Sequence, residues 1–326
     1  MLDNLKVQVL SAESFGVRSM ATYVETPSIR IVFDAGVALG PRFGLLPHPV
    51  EYRALSEARK KLRQSCERAD VVVTTHYHFD HFSPAFNSDF TWTWSSKEVT
   101  RQLYQDKIVL VKDPKENINY SQQLRAWYFL RFLERVAKEV EVADAQSFQF
   151  GDTTLSFSKA VPHGEEGGHL GYVLVASLKY GDEKFVFAPD VQGPMDKNTT
   201  SLIIRERPNL LFLGGPPSYL VPGSVTRENL ERAIESIMEI TAVVKTTIVD
   251  HHLMRDANWK EEIEGAFMVA KMTGNTLTSA AEFTGAHIGL LEARRRELYS
   301  EMPASKEFLK WTRKKYEERR RELPPI

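Results

Sequence analysis

Six consecutive positions, His76-Tyr77-His78-Phe79-Asp80-His81, hold three imidazoles and one carboxylate. Neutral imidazole and carboxylate are donors for zinc, manganese or iron, so a cluster this dense reads as a metal site. His76 and His78 lie two residues apart, and an extended backbone projects both to the same side. Asp80 and His81 come after the chain turns and can reach a second ion. Two-metal hydrolases hold their ions roughly 3.5–4 Å apart. The alternative is a histidine-rich surface loop without chemistry, which is disfavoured because four stray ligands beside a buried strand invite metal capture.

A short loop can bend donors around an ion only if a rigid element holds its start. The unbroken apolar run Val71-Val72-Val73 supplies one. It fits a strand buried on both faces, with the ligand loop at its carboxyl end.

On these residues the chain resembles the metallo-β-lactamase superfamily, and further segments match that family's pattern in order. Ile31-Val32-Phe33-Asp34-Ala35-Gly36 is similar to its first motif, which would make Asp34 a brace that fixes ring orientation and does not bind metal. Val161-Pro162-His163-Gly164 followed by Gly171-Tyr172-Val173-Leu174 resembles the arrangement in phosphodiesterase-like members. Lys184 to Asp190 looks like the strand ending in a bridging aspartate, and Thr246 to His252 like the closing strand. The resemblance covers about residues 5 to 255. With Gly16-Val17-Arg18-Ser19 and Ala38-Leu39-Gly40-Pro41-Arg42 it is closest to a mainly archaeal group of metal-dependent hydrolases of that fold, which brings no substrate with it.

The resemblance implies an α/β fold, an αββα sandwich of two mixed sheets with flanking helices. It also implies two divalent metal ions, zinc before manganese or iron. His76, His78 and His163 would hold one, Asp80, His81 and His251 the other, and Asp190 would bridge. His169 competes with His163, and His252 with His251. Asp80 is also expected to orient the attacking water. His252 is a candidate general acid, since an unperturbed imidazole titrates near pH ~6.5. The implied activity is hydrolysis by a metal-bridging hydroxide, on a phosphodiester or related small anionic ester. A carbonyl hydrolase such as a lactonase or thiolesterase is the alternative, ahead of a nuclease or a di-iron redox protein. The last is disfavoured because no flavin-binding segment follows.

Composition narrows the setting. The chain has 326 residues, enough for a large core. Its single cysteine, Cys66, excludes an intramolecular disulfide and a cysteine-rich zinc site. No signal peptide and no apolar run of the ~18–20 residues needed to span a bilayer is visible, so a cytoplasmic enzyme without membrane association is expected. A net charge of −1 gives no global reason for nucleic-acid binding. Residues 293–326 carry eleven Lys/Arg against six Asp/Glu, with Phe308, Leu309, Trp311 and Tyr316 interleaved. A terminal helix docking by its apolar positions is preferred there over a base-stacking surface. The oligomeric state is left open.

Residues 51–69 carry helix formers without Gly or Pro and put Cys66 on an amphipathic helix. Strands are expected near 5–10, 20–24, 29–34, 71–75, 153–158, 172–178, 184–188, 210–213 and 243–249. The chain reads as a single domain over 1–326, with a helical insertion about 97–142 and a helical tail about 278–323. The loop Gly214-Gly215-Pro216-Pro217-Ser218-Tyr219 is either a cleft wall offering a hydroxyl or a structural turn. Arg18 and Arg42 are candidate anchors for an anionic substrate, with surface solvation as their default. His48 lacks ligand spacing and reads as structural ahead of a loop or substrate-lining role, and His287 reads as unrelated to the site.

Overall fold

The computed structural model describes residues 2–88 and 92–326. The first sheet has six strands in sequence order: β1 (Lys6–Val9), β2 (Thr22–Glu25), β3 (Arg30–Phe33), β4 (Val71–Thr74), β5 (Ile108–Val111) and β6 (Glu139–Val142). β1 to β3 pair antiparallel and β3 to β6 parallel. The second half opens with β7 (Ser147–Phe150) and β8 (Thr153–Phe157), followed by the short hairpin β9 (Val161–Pro162) and β10 (Tyr172–Val173). It continues with β11 (Ala176–Tyr180), β12 (Glu183–Ala188), β13 (Leu210–Gly214), β14 (Thr246–Asp250) and β15 (Thr276–Thr278). The seven-stranded sheet runs β15-β14-β13-β12-β11-β8-β7, again with one antiparallel side and one parallel side.

Strand alternation explains the layers. Val71 and Val73 face the space between the sheets, packed with Phe33, Phe185, Phe187 and Phe212. The Phe33 and Phe187 rings lie 5.3 Å apart. Val72 faces outward onto α1 (Pro49–Arg68), where Tyr52, Leu55, Leu62 and Cys66 meet it. α2 (Lys97–Tyr104) and α3 (Tyr120–Leu133) complete that outer layer. Val186, Ala188, Leu211 and Leu213 face the opposite layer, built from α4 (Lys197–Glu206), α5 (Arg227–Val243), α6 (Trp259–Glu262) and α7 (Glu264–Thr273). The result is the α/β, αββα sandwich of two mixed sheets that the resemblance implied.

His48 starts α1 through a capping box with Glu51, and Pro49 occupies the first turn, where a missing N–H costs nothing. The His48 Nε2 atom also lies 2.8 Å from the Met302 carbonyl, so this histidine is structural. His287 is exposed.

Two expectations need correcting. The segment 97–142 is not a helical insertion, since β5 and β6 alternate with α2 and α3 and extend the first sheet in parallel. The tail is not one helical run. It breaks into α8 (Ala280–Phe283), α9 (Arg295–Glu301), α10 (Lys306–Thr312) and α11 (Tyr316–Arg319). Its apolar positions dock, as preferred: Phe308 and Trp311 are buried beside Tyr52, and Arg295 is fully buried with Nε and Nη2 donating to Glu51 and Nη1 to the Leu45 carbonyl. No helix among the described residues is long and apolar enough to cross a membrane.

Candidate metal centre

Parallel strands of both sheets and the short β9–β10 hairpin place the chemically capable side chains at one edge of the sandwich. β3 runs into Asp34, β4 into Thr75 and His76, β9 into His163, β12 into Asp190, and β14 into His251. Asp34, Asp190 and His251 all take left-handed backbone conformations, with φ of 49°, 48° and 65°. Such residues cost of order 1–3 kcal/mol each and persist where the surroundings over-determine them. Each turns its strand end so that the side chain points into the cluster. Gly36 allows the tightest contact: a Cβ there would stand 2.2 Å from the Phe82 nitrogen and 2.5 Å from the His81 carbonyl carbon. Only a glycine lets the Asp34 strand end and the ligand loop touch.

Asp190 is the hub. Its Oδ2 lies 2.8 Å from His163 Nε2, 3.0 Å from His76 Nε2, 3.3 Å from His81 Nε2 and 3.6 Å from His78 Nδ1. Its Oδ1 lies 2.6 Å from His251 Nε2 and 3.4 Å from His252 Nε2. His76, His78, His163 and Asp190 form one group able to share an ion, and Asp80, His81 and His251 a second. Two further groups overlap these, Asp34 with His76 and His81, and Asp190 with His251 and His252. The structure thus brings together every residue expected at the site. His169 is left out, since it is exposed and only its backbone carbonyl is engaged, by Asn119.

The donors are held from behind. Asp34 accepts from the Thr75 backbone at 2.8 Å and the Thr75 hydroxyl at 2.7 Å, and it meets His81 Nδ1 at 2.7 Å. That contact leaves His81 Nε2 facing the cluster. Gln122 of α3 reaches His78 Nε2 at 3.3 Å while accepting from the Tyr77 backbone. The sequence reading missed Glu13. Its carboxylate lies 2.9 Å from His251 Nδ1 and accepts a fork from Arg255, which in turn stands 3.5 Å from Asp80. The only local signal was a carboxylate three residues before the Gly16-Val17-Arg18 segment.

The electrostatics divide the cluster. Burial lowers the pKa of His76 well below its usual value, helped by His81. Burial and the neighbouring Arg255 push His252 down to about 3. Burial works against charge on His251 too, but Asp190 and Glu13 outweigh it and raise the ring to about 9. His81 is raised in the same way, against burial, by Asp190 and Asp34. Asp190 is buried and Asp80 half-buried, yet the imidazoles hold both carboxyls well below the usual range.

The donor set suits metal ions. Imidazole nitrogens face each other at 3.2 Å (His76 with His78) and 3.3 Å (His81 with His251), where two lone pairs or two protons would repel. Asp190 Oδ1 is not aligned for a hydrogen bond with His251, so among the described residues this buried oxygen has no hydrogen-bond partner. Nitrogen and oxygen donors without sulfur suit zinc, manganese or iron.

Around the centre, Arg18 forks onto Glu292 through Nε and Nη2 at 2.7 and 2.8 Å, so its charge is already paired. Arg42 donates to the Arg255 carbonyl and lies over the Tyr219 ring at 4.4 Å. The paired glycines serve packing: a Cβ on Gly214 would stand 2.5 Å from the Asp190 nitrogen, and Gly215 packs on the Asp250 carbonyl. The Ser218 hydroxyl donates to Asp256, and the Tyr219 hydroxyl accepts from Arg255.

No protein-family model matches the chain. A UPF0282 protein of Methanocaldococcus jannaschii is 40% identical over 296 residues, covering 90% of this chain and 96% of that one. A UPF0282 protein of Korarchaeum cryptofilum is 37% identical over 309 residues, covering 94% and 99%. Among solved structures the chain is similar to CmlA, a diiron β-hydroxylase from Streptomyces venezuelae. The TM-score is 0.52 at 13% identity, over 86% of this chain and 53% of that one. At that identity the likeness concerns the fold alone.

Proposed function

The chain belongs to the UPF0282 family, and from its fold and the geometry of its strand ends we propose that it is a metal-dependent hydrolase with a metallo-β-lactamase fold. The observation that carries the reading is the Asp190 carboxylate, with one oxygen among His76, His78 and His163 and the other at His251. A carboxylate so placed would suit sharing between two ions. His76, His78 and His163 would hold the first, Asp80, His81 and His251 the second, and zinc is the first choice. When bound, such ions lower the pKa of water and neutralise charge developing on the reacting group.

The protein's own residues supply orientation. Asp34 and Glu13 fix the His81 and His251 rings so that each turns its Nε2 toward the cluster. Asp80 is 17% exposed at its side chain, in contrast to the fully enclosed His76 and His81, so it can accept a hydrogen bond from water entering at that edge. His252 is 15% exposed there, and its Nδ1 has no hydrogen-bond partner among the described residues. Its pKa of about 3 keeps the ring neutral near neutral pH, so it would serve as a ligand or proton acceptor and not as the general acid the sequence suggested. Arg42, half-buried and without a carboxylate partner among the described residues, favours an anionic substrate, a phosphodiester or related small ester.

The experiment is metal analysis of the purified protein, with turnover of bis-p-nitrophenyl phosphate compared with lactones and thioesters. His78→Ala should remove hydrolysis and leave the fold intact. Unchanged turnover by that variant would refute the assignment.

A further inference from the structure

Beside the ligand loop lies a groove of about 790 Å³ that none of the site chemistry uses. This is within the roughly 300–1,000 Å³ typical of ligand pockets. Its floor is the face of α3 carrying Leu124, Tyr128 and Arg131, at helical spacing, with Arg135 in the turn after the helix, and its rim includes Phe79 and Phe86. Trp127 and Tyr128 remain 49% and 58% exposed, an unusual state for two adjacent aromatics on one short helix. Five cations line the groove, Lys97, Arg101, Arg125, Arg131 and Arg135, and no carboxylate does. None of the five forms an ion pair among the described residues.

Two details orient the groove. Arg125 lies over the Phe79 ring at 4.4 Å and donates to the Tyr77 carbonyl, which fixes it against the loop carrying His78 and Asp80. Arg131 lies over the Trp127 ring at 4.8 Å. Cations and aromatic rings therefore alternate along about 9 Å of helix between Arg125 and Arg131, at ~1.5 Å per residue, and Arg135 extends the row in the turn that follows.

We infer that this groove binds a single-stranded polynucleotide and leads it toward the metal centre. An acid-free row of guanidinium groups fits a polyanion, and exposed aromatic faces fit unstacked bases, which offer a ring face whatever their sequence. A duplex keeps its bases stacked and cannot use Trp127 or Tyr128. Strand binding stands on the groove alone. Presentation of the strand as a substrate rests on the hydrolase reading above.

The test is fluorescence anisotropy with the full chain and a labelled single strand of about a dozen nucleotides. Raising salt from about 50 to about 200 mM should weaken binding roughly 50-fold if about four phosphates are neutralised. The double variant Arg131→Glu/Arg135→Glu should bind at least about tenfold more weakly, and Trp127→Ala roughly tenfold more weakly. Arg313→Glu/Lys315→Glu in the basic tail should bind as wild type, and near-ultraviolet circular dichroism checks that each variant is folded. Absence of binding at low salt, equal affinity for duplex, equal competition by polyglutamate, or full affinity in the groove variants would each overturn the inference. Strand binding without cleavage of either the strand or bis-p-nitrophenyl phosphate would sink the hydrolase reading and leave the groove standing. Cleavage of the small diester without strand binding would do the reverse.

Discussion

Glu13→Gln is the most informative single change, because Glu13 sits behind two of the three donors of the Asp80–His81–His251 group. The wild-type carboxylate is 3% exposed and serves two cationic partners at once, the His251 ring at 2.9 Å and the Arg255 fork. Glutamine keeps the shape but has one acceptor oxygen and one donor amide. It can satisfy His251 or Arg255, and it turns N–H groups toward the other. A hydrogen bond to a charged group contributes about 1.5–3 kcal/mol, and the loss of charge leaves Asp80 as the carboxylate nearest to Arg255. The guanidinium should then move onto Asp80 and compete with an ion for it. Loss of a group that braces a metal-binding histidine typically costs 10–100-fold in affinity. Zinc competition titration against a chromophoric chelator should therefore show one site weakened by about that factor, with the His76–His78–His163 site unchanged. Glu13→Ala is less useful, because breaking a buried ion pair costs about 3–5 kcal/mol, a large share of a domain's ~5–15 kcal/mol. Two wild-type zinc affinities in Glu13→Gln would refute the claim that Glu13 positions His251.

Other perturbations probe separate parts of the fold. Burial opposes ionisation of Glu292, but Arg18 outweighs it and holds the carboxyl at about 2, against about 4.5 when unfolded. A depressed carboxyl adds stability above the unfolded value that is lost as pH falls. Thermal melting should thus show a fall between about pH 4.5 and 2 that Glu292→Gln lessens, and identical profiles would remove Glu292 from the account. Gly36→Ala drives a Cβ into the His81–Phe82 backbone, so metal content should drop together with the melting temperature, as measured by elemental analysis and calorimetry. Phe308→Ala empties a fully buried site and should cost about 3–5 kcal/mol in urea denaturation while leaving metal affinity unchanged.

The legible parts of the molecule were those encoded locally. The valine run and the donors after it lie within a dozen residues, so strand, loop and ligand types could be read together. His163, Asp190 and His251 each end an apolar run, and their order along the chain made them recognisable. Glu13 could not be read this way, because its partner lies 238 positions away and joins it only when both sheets have formed. β6 was hidden for another reason. Glu139-Val140-Glu141-Val142 alternates, but it is an edge strand with little burial, and its extended form depends on pairing with β5. The α3 face illustrates the limit of periodicity: Tyr120, Leu124, Trp127 and Tyr128 have the spacing of a packed helix and stand exposed.

The donors are split between the halves of the chain, four on the loop after β4 and three at the ends of β9, β12 and β14. An ion held by both sets ties the two sheets together, and it does so only in the folded protein, because neither half can offer a complete shell. By mass action, a ligand at 100 times its dissociation constant adds about 2.7 kcal/mol to the folded state. The centre is in that sense a fastener as well as a reagent, and a chelator would loosen the sandwich along the seam where its sheets meet.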